Sequence, residues 1–104
     1  MLCKKEKTIE GHTVTLEVNS QGSVLLLING EFHSQVETDP QLRVRLALAA
    51  RQLWREALNE LQPGVYMCLP LGYIRRKLFM SVGWEPHPKT PGVLVFYHSP
   101  PTSL

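Results

Sequence analysis

Tyr73–Trp84 reads YIRRKLFMSVGW, and the fold turns on how this stretch is read. Leu71, Ile74, Leu78 and Val82 recur at spacings of three and four, and Gly83 stands where a left-handed helix cap is wanted. The spacing therefore predicts a short amphipathic helix that stops at Gly83. Before it lies Val65–Leu69, an apolar run too short for a helix, followed by a Pro70–Gly72 turn. After it come a proline-rich loop, Glu85-Pro86-His87-Pro88, and a second run, Gly92–His98, rich in β-branched and aromatic residues. The local order is strand, helix, strand.

Upstream, Thr38-Asp39-Pro40 is a helix start: Thr38 or Asp39 caps the first free amides, and proline is preorganised for the first helical position. Leu42, Leu46, Ala49, Ala50, Leu53, Ala57 and Leu61 then form one stripe, with Pro63-Gly64 as the expected stop. The opposite face holds Arg51 and Arg55, as solvent demands, but also Val44 and Leu48, which a one-sided surface helix does not need. Either a loop or solvent meets those two residues, or a partner protein or a second copy does. The first third alternates as a meander: Thr8–Val18 with a turn or bulge at Gly11-His12, a turn at Asn19–Gly22, Ser23–Ile28, an Asn29-Gly30 hairpin signal, then Phe32–Glu37. The predicted fold is α+β, a mostly antiparallel sheet in the order β-β-β-α-β-α-β.

A chain of 104 residues supports one domain and one core, expected over about residues 8–98 with a frayed tail at 99–104. No apolar run is long enough to span a bilayer. The Lys4, Lys5 and Lys7 segment is interrupted by Glu6 and has no apolar core after it, so no signal peptide is expected. Cys3 and Cys68 have no metal-ligand spacing and read as free thiols, consistent with a cytoplasmic protein. The four histidines are scattered, which argues against a metal site. The net charge of +2 is too small to imply nucleic acid by itself.

Leu78-Phe79-Met80-Ser81-Val82-Gly83-Trp84-Glu85 resembles the closing helix motif of the GCN5-related N-acetyltransferase (GNAT) family, Leu-Tyr-x-x-x-Gly-Phe followed by an acidic residue. The order of elements is similar to the C-terminal portion of that fold. The resemblance implies an acyl-coenzyme A pyrophosphate loop, Pro-x-x-Arg-Gly-x-Gly-x-Gly/Ala, at the start of the long helix. Pro40 and Arg43 match it and Arg45 takes a basic spacer position, so Arg43 and Arg45 are the implied cofactor contacts. Val44, Leu46 and Leu48 stand where glycine or alanine is expected, and bring side chains to a surface that must be bare for phosphates to reach main-chain amides. Phe79 replaces the tyrosine that protonates the departing thiolate and has no proton to give. The Asn-x-x-Ala contact that precedes that motif is Gly72 and Arg75. The family's N-terminal strand and helix pair, which help to form its acceptor site, have no counterpart.

Three functions follow as expectations. The first is a non-catalytic adaptor that binds an unidentified protein partner, or itself as a homodimer, through Val44, Leu48, Arg51 and Arg55, with no cofactor. The second is an acetyltransferase that still binds acetyl-CoA through Arg43 and Arg45 and uses Glu37 as its base. The third is a weak nucleic-acid binder using the two arginine-bearing helices. Arg75-Arg76-Lys77 and the long-helix arginines read more simply as solvated helix faces, because acids are spread among them and no aromatic interleaving suggests base stacking. Trp54 and Trp84 are expected in the core or at its edge, with wet indole N–H groups.

Overall fold

The structure is a computed structural model that describes residues 2–31, 39–70 and 73–99. Its first element is a three-stranded antiparallel meander of β1 (Cys3–Ile9), β2 (His12–Val18) and β3 (Val24–Ile28). The expected Thr8–Val18 strand is in fact the end of β1 and the whole of β2, because Glu10 and Gly11 both take positive φ and reverse the chain. The ordered core accordingly begins at Cys3, not near residue 8. Asn19 makes the next turn, its Oδ1 accepting from the Gln21 and Ser23 amides. Asn29 and Gly30, both at positive φ, turn the chain after β3, and Ile28 pairs with Glu31. The strand expected over Phe32–Glu37 lies outside the described residues.

Helix α1 (Pro40–Leu58) follows, capped by Asp39 with Pro40 at its start. It ends at Leu58 with Asn59 as cap, before the expected Pro63 stop. The shortening lets the chain turn through Leu61, whose amide reaches the Ala57 carbonyl and whose side chain is buried. A second three-stranded antiparallel sheet has the order β4 (Gly64–Cys68), β6 (Leu94–His98), β5 (Glu85–Pro86). Helix α2 (Tyr73–Ser81) crosses from β4 towards β5. It closes as expected at Gly83, φ +102°, with the Gly83 amide on Met80 O and the Trp84 amide on Phe79 O. Phe79 and Trp84 complete this cap by packing edge to face, ring centroids 5.3 Å apart.

The core lies on the helix side of both sheets. Val14, Leu16 and Val18 of β2 meet the α1 stripe of Leu46, Ala49, Ala50, Leu53 and Ala57, all buried. Trp54, 1% exposed, joins the halves: its ring centroid lies 5.0 Å from that of Trp84, 5.2 Å from Phe96 and 6.4 Å from Tyr66. Both tryptophans are inside the core as one of the expected placements had it, but their indole N–H groups are not wet: both are buried with no partner among the described residues. Ring area outweighs an unmet donor here. Among the described residues one parallel bridge outside the strands, Ser23 to Met67, stitches the sheets, with the Met67 amide donating to Gly22 O at 2.9 Å. A Cβ at Gly22 would stand 2.9 Å from Val65 O, so the strands meet this closely only because residue 22 has no side chain.

Candidate docking face and cofactor positions

The start of α1 is where the resemblance implies an anion. There the Asp39 carboxylate accepts from the Gln41 amide at 3.0 Å and the Leu42 amide at 3.4 Å. The donors and the helix dipole that would receive a phosphate already hold a negative charge from the chain itself. Arg43 and Arg45 do not converge on that point. Arg45 pairs with Glu10 in the β1–β2 turn, whereas Arg43, half-buried, lines a cavity of about 20 Å³ with Ile28, Leu46 and Arg75. Val44 and Leu48 lie side by side on the open face of α1, 59% and 56% exposed. Arg55 is exposed as well, but Arg51 turns away from that face to donate from Nε to Ser81 Oγ at 3.1 Å. The expected partner patch is therefore Val44, Leu48 and Arg55, with Arg51 serving as a tie between the helices.

Phe79, at the family's tyrosine position, is 3% exposed and belongs to the aromatic core. Glu37 lies outside the described residues. Arg75 is the departure that sequence reading missed. Expected on a solvated face, it is 4% exposed, and its Nη1 donates to the Leu26 carbonyl of β3 at 2.5 Å. The signal was present in the spacing: Arg75 sits three and four residues before Leu78 and Phe79, on the face that packs inward. Beside it, burial pushes the Cys68 thiol up to about 12, and the Arg75 charge only partly offsets this. That thiol stays protonated at neutral pH and is a packing group, not a nucleophile.

Beyond the Ser23–Met67 bridge, β3 and β4 part. The slot between them is a groove of about 300 Å³ lined by Val24, Leu25, Met67, Cys68, Leu69 and Val93. Arg75, Phe79 and Pro70 close it from the helix side, leaving about 10 Å³ behind it, hardly room for a water. The groove opens instead on the face opposite the helices. There β4 alternates Val65, Met67 and Leu69 outward, 51%, 38% and 60% exposed. Tyr97, 59% exposed, stands opposite Val65 on β6, and Leu25 projects from β3. Leu25, Met67 and Leu69 thus line one slot across two sheets, with Val65 and Tyr97 exposed beside it, a grouping formed by the fold and invisible in the separate runs.

Other polar groups serve the loops. His87 Nδ1 accepts from the Lys89 and Thr90 amides at 3.1 and 3.0 Å and shapes the turn before β6. Asn29 Nδ2 lies 3.1 Å from His12 Nδ1. Among the described residues, no three His, Cys, Asp or Glu side chains gather as a metal site, and no helix is long and apolar enough to cross a membrane. Comparison with protein families, with curated proteins and with solved structures finds no match for the chain.

Proposed function

We propose that the chain is a small non-catalytic binding module of acetyltransferase-like architecture that acts by contact with another protein. The observation that carries this reading is the β3–β4 groove lined by Leu25, Met67 and Leu69, with the exposed Val65 and Tyr97 pair of the β4–β6 sheet beside it. Large exposed apolar groupings on a folded domain mark interaction surfaces. Two further features support contact over acyl transfer: Asp39 occupies the helix amides that an acyl-coenzyme A pyrophosphate would need, and Phe79 offers no proton to a leaving thiolate. The Val44–Leu48 pair on α1 is a second, smaller contact candidate on the other side of the molecule. The free, buried thiols Cys3 and Cys68 fit a reducing, cytoplasmic setting.

Thermal unfolding with and without acetyl-coenzyme A tests the reading. A ligand at about a hundred times its dissociation constant stabilises the native state by roughly 2.7 kcal/mol. In a domain of this size that raises Tm by about 10 °C. We expect no shift at millimolar acetyl-coenzyme A. A shift of that size would make the chain a cofactor-binding enzyme and return Arg43 to cofactor duty.

A further inference from the structure

We propose that Asn29-Gly30 is a self-modification site: the Asn29 side chain cyclises onto the backbone nitrogen that follows it, and in the folded chain a latch on β2 holds the reaction back. Of the three asparagines this is the one followed by glycine; Ser20 and Glu60 follow the other two. The pair forms the turn after β3, at φ +54° and +79°, with both residues exposed and with Ile28 and Glu31 exchanging backbone bonds around it. A Cβ built on Gly30 would meet nothing within 4 Å, so no neighbour crowds the approach of its nitrogen to the Asn29 carboxamide. In the first step the Gly30 nitrogen bonds to Asn29 Cγ, the Cγ–Nδ2 bond breaks, and ammonia leaves with the Gly30 proton. Water then opens the cyclic imide at either of its carbonyls. One opening gives aspartate; the other gives isoaspartate, whose main chain runs through Cβ and Cγ and is longer by a methylene.

The latch is made by the Asn29 side chain and the start of β2. Asn29 Oδ1 accepts from the Thr13 amide at 3.0 Å, and Asn29 Nδ2 lies 3.1 Å from His12 Nδ1. The Thr13 N–H can only donate, so the carboxamide has one workable orientation: oxygen to Thr13, nitrogen to His12, with His12 Nδ1 as the acceptor. The Asn29 amide donates in turn to Thr13 O at 2.8 Å, so its main chain and side chain grip the same residue of β2. Ring closure turns the carboxamide over the Gly30 nitrogen and expels Nδ2, which breaks the His12 bond and misaligns the Thr13 bond. Two ordinary hydrogen bonds given up before the transition state slow the step by about tenfold or more. The products undo the latch as well. An aspartate there still accepts from Thr13 but has no proton for His12, and an isoaspartate lengthens the loop between Ile28 and Glu31.

The test incubates the intact protein at neutral pH and follows each asparagine by peptide-mapping mass spectrometry, in buffer and in denaturing urea. The expected result is modification confined to Asn29, slower in the folded chain than in the unfolded one by about tenfold or more. His12→Leu removes the acceptor and should speed the folded-state reaction by about fivefold. His12→Asn, which puts a carbonyl oxygen where Nδ1 stands, should restore the slow rate, a rescue that a merely structural role for His12 would not give. The wild type supplies a check that needs no variant: below the unfolding transition, the rate should rise with urea in step with hydrogen exchange at the Thr13 amide. Four results overturn the inference. An Asn29 that stays intact even in the unfolded chain would remove the site, and equal rates in the folded and unfolded chains would remove the latch. Equal rates in folded His12→Leu and His12→Asn would acquit the acceptor. A rate indifferent to urea while the Thr13 amide exchanges faster would uncouple the reaction from the latch.

Discussion

Asp39 satisfies two amides of α1 that nothing else among the described residues reaches, so it serves the fold whatever the chain binds. Asp39→Ala should cost about 1 kcal/mol, measured by urea unfolding. Cys68 gives a pH test. Its folded-state thiol pKa is raised from 9.0 to about 12, so the folded state holds its proton more tightly than the unfolded chain does. The stabilisation is complete below about pH 9 and declines as pH rises from there towards 12. The melting temperature should fall across that interval, and Cys68→Ala should flatten the fall. At pH 8, a thiol reagent should label Cys68 only after denaturant is added. Cys68 could be read as a free thiol from its lack of spacing partners. Arg75 was legible only in part: its spacing places it on the inward face of α2, but a cation there is solvated unless a neighbouring element covers it, and here β3 supplies the cover together with an acceptor carbonyl.

Helix and strand identities were legible wherever local chemistry fixes them. The α2 stop is the clearest: Gly83 takes φ +102°, and a Cβ there would lie 3.1 Å from Phe96 Cε2. Gly83→Ala should therefore cost about 1–2 kcal/mol, combining backbone strain with crowding of an aromatic ring, as read by thermal unfolding. The start of α1 was legible for the same reason, since Asp39-Pro40 acts locally. Its end was not: Leu58 is a stop only because Leu61 is needed in the core and the Tyr66 hydroxyl reaches back to Gln62 O. Strand β5 also escaped notice, since two residues including a proline carry no period of their own and exist as a strand only through β6. On the open face of α1, Leu48→Asp should leave stability within about 0.5 kcal/mol. If that face is a second contact, sedimentation velocity should show the variant losing an association that the wild type has; identical profiles would assign Leu48 to solvent.

The order of elements was legible in the molecule as a whole, but the way in which the two sheets meet was not. Alternation tells which residues share a face, and says nothing of which edge strand lies beside which. The joint depends on long-range aromatic packing: Trp54 touches Tyr66 of β4, Phe96 of β6 and Trp84 of the turn between α2 and β5. Trp54→Ala should cost about 3–5 kcal/mol and loosen both sheets together, seen as a single shifted transition by near- and far-UV circular dichroism. The apolar groove escaped sequence reading for the same reason, since Leu25 and Met67 lie far apart in the chain and become neighbours only across the joint. At that joint Gly22 passes under Val65 with no room for even a methyl group. A saturation scan should find nothing but glycine tolerated there. Any larger residue would work as a doorstop, holding the sheets apart at their hinge and changing the bore of the slot along its whole length, so that the width of the slot is gauged by a single hydrogen atom.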